Sequence, residues 1–179
     1  ILARLAPARL WIDDDVRLTL RGDMHSPCFC ETCLATLAQR LTQPPLARAA
    51  TLAAIMADPP NPTRAAWLDF QGELAVSIVR GLAEAVHAVS PSTDVGLMYS
   101  PLEYHAAEGR NWARHVAALG PRRPRYGRPG IGNYVQAYAP DLAIGFNWAR
   151  LAQVVMPADM IQAPEVENYP HTRFSKSQR

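Results

Sequence analysis

Four short strand-like runs, each separated from the next by helical sequence, constrain this chain more than any other feature. They are Arg9 to Ile12, Val95 to Tyr99, Arg125 to Arg128 and Met160 to Ala163. A strand that returns to its sheet through a helix lies parallel to its predecessor, because the helix makes the return journey. The order βαβαβαβ therefore predicts an α/β protein with about four parallel strands. A doubly wound sheet and a (β/α)8 TIM-type barrel both satisfy that order.

The intervening segments follow helical spacing. From Phe29 to Leu41, apolar Cys33, Leu34, Leu37, Ala38 and Leu41 share one face, and Pro44-Pro45 ends the run. Leu46 to Met56 reads as a short Ala-rich helix. Asp58-Pro59-Pro60-Asn61-Pro62 is a loop, because proline excludes helix interiors and restricts the residue before it. Thr63 is the expected cap of the longest helix, whose broad face carries Trp67, Leu74, Ala75, Ile78, Val79, Leu82 and Val86 up to Ser90-Pro91. Glu108 to Leu119 and Ala139 to Val155 supply the last two helices. Gly127-x-x-Gly130-x-Gly132 lacks a following Lys-Ser/Thr and reads as a turn, not a phosphate loop.

The chemistry gathers where these strands end. Leu10-Trp11-Ile12 runs into Asp13-Asp14-Asp15, and the last strand runs into Glu165-Val166-Glu167-Asn168. Adjacent carboxylates repel one another, so massing them adds no stability. Parallel α/β folds build their sites at the carboxyl ends of strands. In a barrel, Asp14 or Asp15 would face Glu165 or Glu167 across the mouth. Two carboxyls about 5 Å apart suit double-displacement glycoside hydrolysis, one as nucleophile and one as acid/base. Trp11, Tyr99, Tyr134 and Tyr169 are the aromatic candidates for stacking on a sugar, with Arg17 and Asn168 as polar partners.

A full barrel takes roughly 250 residues. The 179 residues, starting at Ile1, therefore read as a fragment of one such domain, roughly its second half to two-thirds. Such a piece would be an open arc, inactive by itself, with apolar surface exposed at Leu10, Ile12, Met160 and Ile161.

All three cysteines fall in Cys28-Phe29-Cys30-Glu31-Thr32-Cys33. Thiols this close favour thiolate ligation of a structural zinc over disulfides, with His25 or an upstream residue as fourth ligand. Free clustered thiols favour a reducing, cytoplasmic compartment. With 49% hydrophobic and 19% charged residues, the composition is that of an ordinary globular chain. A net charge of +2 gives no case for nucleic acid or a membrane surface, and no stretch is long and apolar enough to span a bilayer. There is no Gly-x-Ser-x-Gly, so serine hydrolase chemistry has no motif.

The acidic strand end, the Cys-Phe-Cys-Glu-Thr-Cys opening a helix, and the long helix with Trp67-Leu68-Asp69-Phe70 together resemble clan A glycoside hydrolases, nearest to the family 42 β-galactosidases. The resemblance implies a retaining hydrolase acting on an O-glycosidic bond of a carbohydrate. It sets Asp15 as acid/base, Asp14 in the place of a sugar-binding Asn, and Glu167 before Asn168-Tyr169-Pro170 as nucleophile, with Glu165 competing. It also implies a zinc cluster at Cys28, Cys30 and Cys33 completed by an upstream cysteine. The chain departs from the family in carrying Asp-Asp where Asn-Glu stands. Aspartate is shorter by one methylene, so the chain reads as a divergent relative and not as a β-galactosidase. Two other classes fit the residues. One is a metal-dependent hydrolase using Asp13, Asp14 and Asp15, although adjacent strand residues point to opposite faces. The other is a barrel that binds glycan without catalysis.

Overall fold

The computed structural model describes residues 1–13, 28–99, 105–106, 108–121, 124–129 and 142–163. A short 3-10 turn at Leu2–Leu5 precedes strand β1 (Arg9–Ile12). Helices α1 (Glu31–Arg40), α2 (Arg48–Met56) and α3 (Pro62–Val89) follow, then β2 (Asp94–Tyr99), α4 (Trp112–Ala118), β3 (Arg125–Pro129), α5 (Leu142–Val155) and β4 (Met160–Gln162). The four strands form one parallel sheet in the sequential order β1-β2-β3-β4. No helix among the described residues is long and apolar enough to cross a membrane.

The pairing puts Ile12, Leu97, Gly127 and Gln162 in one row and Trp11, Gly96, Tyr126 and Ile161 in the next. Side chains alternate between sheet faces, so these rows lie on opposite sides. Ile12, Val95, Leu97 and Tyr99 are buried on one face against Val76, Val79 and Ala83 of α3, Trp112 and Val116 of α4, and Ala152 of α5. One helix from each of the three crossovers, α3, α4 and α5, thus contributes to one core on one face. Gly127 makes room there, since a Cβ would sit 2.8 Å from Met160 Sδ and 2.9 Å from the Tyr99 ring.

A second core stands apart from the sheet. Phe29, Cys33, Leu37, Ile55 and Trp67 form it, with Leu34, Leu41, Leu52, Ala66 and Phe70 packed around. Helix α3 joins both cores: Trp67, near its start, belongs to the second, and Val76, Val79 and Ala83, further along, belong to the first. Between them, Gly72 meets the loop before α4: a Cβ on it would lie 2.3 Å from the Gly109 carbonyl oxygen. Gly109 itself has φ 70°, a conformation that favours glycine.

The caps differ from the sequence expectation in two places. Asn61, not Thr63, caps α3, its side chain accepting from the Arg64 amide at 3.1 Å, with Pro62 at the first helical position. Asn61 Nδ2 also donates to Ala54 O at 2.7 Å, and Arg64 Nη2 donates to Ala57 O at 2.7 Å. These two side chains thus satisfy carbonyls at the end of α2. Helix α4 starts after Asn111, whose side chain accepts from the Arg114 amide at 3.0 Å, and Glu108 lies in the preceding turn. The exposed apolar surface also differs from the expectation: Ile161 is 46% exposed, but Ile12 is 8% exposed and belongs to the main core.

His115 is buried within α4, with Nδ1 2.9 Å from Asn111 O. Burial, helped by the charges of Arg110 and Arg114 and opposed by the Asn111 carbonyl, pushes its pKa down to about 4. The folded state therefore binds fewer protons than the unfolded state between about pH 4 and 6.5. Stability is full above that window and falls as the pH drops through it, by up to about 3 kcal/mol. His115→Leu is expected to flatten the acid-side fall of Tm between pH 6.5 and 4, measured by thermal melting. An unchanged slope would show that His115 does not carry it.

Candidate functional site

Because the four strands are parallel, their carboxyl ends share one rim. Ile12, Tyr99, Pro129 and Gln162 end the strands there, and exposed Asp13 follows β1 directly. Asp14, Asp15 and Arg17 follow in sequence, as Glu165, Glu167, Asn168 and Tyr169 follow β4; these residues, with Tyr134 and His25, lie outside the described residues. What the structure places is therefore the scaffold from which the two acidic segments leave.

The aromatic candidates separate. Tyr99, expected to stack on a sugar, is 1% exposed on the helix-covered face. Its ring lies 5.2 Å from Trp112 and 6.0 Å from His105, so within the described residues it is a core side chain. Strand parity is the reason: Val95, Leu97 and Tyr99 alternate toward the helices. Burial holds the Tyr99 phenol far above its ordinary range, so it stays neutral. Glu108 and Arg110 form a buried ion pair at 2.5 Å in the turn just before α4. A pair this enclosed costs much to break, so it holds residues 108–110 in place.

Trp11 lies on the opposite face. Its indole covers Gly96, where a Cβ would sit 2.5 to 3.0 Å from three of its ring carbons. It meets Tyr126 edge-on at 6.5 Å, and the Arg9 guanidinium sits 3.3 Å from the Tyr126 ring centroid. Arg9 also approaches Asp94 at 3.9 Å. Sequence reading singled out Trp11 but missed Tyr126 and Arg9. The signal lay in Gly96, the small residue of an apolar strand, but it becomes readable only with the register known.

The cysteine cluster is the site the structure assembles most completely. Cys28 and Cys30 are exposed, Cys33 is buried, and their three sulfurs all lie within 4.8 Å of one another. Tetrahedral thiolates at about 2.3 Å from an ion stand roughly 3.8 Å apart. The cluster therefore needs only a small contraction to hold a metal ion. Cys30 occupies the N-cap of α1 and Cys33 stands three positions on, which turns both sulfurs to the same helix end. The Cys30 thiol is drawn down to about 7, first by the Cys33 backbone amide and then by the neighbouring sulfurs. Burial, reinforced by those sulfurs, pushes Cys33 up to about 12. Without a cation one thiol ionises readily and one resists; a bound dication would draw the proton off the second.

Compared with protein-family models, curated proteins and solved structures, the chain matches none.

Elemental analysis of protein prepared without chelator is expected to find about one divalent metal per chain, and Cys33→Ser is expected to reduce it to near zero. Stripping the metal should lower Tm. A metal-free preparation of full thermal stability would contradict the assignment.

Proposed function

We propose that the chain is part of a divergent glycoside-hydrolase-like (β/α)8 barrel that cleaves an O-glycosidic bond with retention, using two carboxylates at strand ends. The observation that carries this reading is the singly wound sheet: sequential parallel strands, with α3, α4 and α5 all contributing to the core on one face. Doubly wound sheets switch strand order and cover both faces, whereas a barrel keeps its helices on one side. The second support is positional. Asp13 sits at the rim end of β1, and the chain leaves β4 on the same rim toward Glu165 and Glu167.

Three strand spacings separate β1 from β4, about 14 Å along a flat sheet. Retaining chemistry needs its carboxyls about 5 Å apart. The proposal therefore requires the sheet to curl, so that the two acidic segments lean inward from their strands. In this mechanism Asp15 protonates the glycosidic oxygen and Glu167 attacks the anomeric carbon. Asp15 then takes a proton from the water that releases the sugar. Asp14 accepts from a sugar hydroxyl. Arg17, Asn168 and Tyr169 complete the sugar contacts, and Trp11 offers the aromatic surface of the sheet face opposite the helices. The crowding of Asp13, Asp14 and Asp15 favours one protonated member, which the acid role requires. Zinc is the ion that best suits three thiolates, and its role here is structural. Cys28, Cys30 and Cys33 would hold it at the start of α1, on the segment that follows the acidic end of β1.

In the protein that contains this chain, Glu167→Gln and Asp15→Asn are each expected to lower kcat by a factor on the order of 10³ without changing Tm. Steady-state kinetics on a panel of aryl glycosides would check it. Near-normal turnover by both variants on a substrate the parent cleaves would contradict the assignment.

A further inference from the structure

We infer that Phe29 and Trp67 are positioning residues of the metal site, setting its affinity for the ion without touching it. The inference rests on the metal reading of the three thiols. Residues 28–30 have no regular structure of their own and precede the first turn of α1. Cys28 and Cys30 are exposed, so their side chains gain little from packing. What anchors the loop is the residue between them. The Phe29 ring is 8% exposed and lies parallel to the Trp67 indole, with centroids 4.8 Å apart and planes 4° apart. Trp67 is 1% exposed and is braced in turn by Phe70, edge-on at 5.8 Å. The guanidinium of Arg48 in α2 lies 6.0 Å from the Phe29 ring.

Cys33 belongs to the same core, so one packing unit fixes the third sulfur as well as the loop carrying the other two. That unit draws on the loop, α1, α2 and the first part of α3, and on no strand. A core this small is marginal by itself. With the stack intact the sulfurs are held near binding geometry before the ion arrives. With the stack lost, binding must also order the loop, and affinity falls. Linkage makes the effect reciprocal: the ion tightens the stack as much as the stack tightens the ion. The main core, built on the sheet, stands outside this exchange.

The test measures zinc affinity of the full chain by competition with a chromophoric chelator, and records the thiolate-to-metal absorption of the cobalt(II) form. Trp67→Ala and Phe29→Ala are expected to weaken zinc binding roughly 10- to 100-fold. Trp67→Phe, which can still stack, should restore most of it. Val79→Ala, a cavity in the main core, should lower Tm but leave zinc affinity and the cobalt spectrum unchanged. If Trp67→Ala fails to fold, Phe29→Leu carries the same test, because it keeps an apolar group and removes the stack. Wild-type affinity in the stacking variants would overturn the inference, and so would an equal loss in Val79→Ala. A parent chain that binds no zinc or cobalt would instead overturn the metal reading beneath it.

Discussion

The rest of the structure hangs on the buried stripe of α3. A helix of 28 residues runs about 42 Å. Its early turns bury Trp67 against the cysteine loop, and its later turns bury Val76, Val79 and Ala83 against the sheet. Burying side chains of this size contributes roughly 1.5 to 3 kcal/mol for each large one. Without that stripe the two cores have no shared element. Gly72 and Gly109 let the loop before α4 approach the helix backbone directly, which places α4 beside the same stripe. The surface ion pairs of Arg40 with Asp69 and Glu73, and of Arg114 with Asp69, link α1, α3 and α4, but exposed pairs add little each.

The position of the cysteine loop follows from this helix, and the position of the rim follows from the sheet. Sequential parallel pairing sends every strand's carboxyl end the same way, so the segments after Ile12 and Gln162 leave from one side. The sheet face opposite these helices carries Arg9, Trp11 and Tyr126, with Trp11 over Gly96, whereas the helix-packed face carries Ile12, Val95, Leu97 and Tyr99. A sheet with one face packed by helices and the other lined in this way has two chemically distinct faces. The proposed glycosidase would work on the face opposite these helices.

Much of this was legible in the chain. The alternation of strand-like and helical segments fixes parallel pairing without any knowledge of register. Even Arg125 to Arg128, with only Tyr126 and Gly127 between its arginines, takes its place between β2 and β4. The cysteine spacing puts three sulfurs at one helix start. What was not legible depends on contacts between distant segments. Trp11 and Tyr99 look alike as aromatics near strand ends, yet parity sends them to opposite faces. Thr63 is a plausible cap by residue type, but Asn61 stands before the helix-initiating Pro62 and can also reach the end of α2. The Phe29–Trp67 stack joins two segments whose meeting no local pattern announces, and with it the separate second core stayed hidden.

The most direct measurement of the functional claim is covalent trapping. The protein would be incubated with a panel of 2-deoxy-2-fluoro glycosyl fluorides, and its peptides mapped by mass spectrometry. A retaining mechanism predicts a single glycosyl adduct on Glu167, formed with loss of activity and absent in Glu167→Gln. Sugar binding without any adduct, or turnover abolished by a chelator and untouched by the trapping reagents, would contradict it.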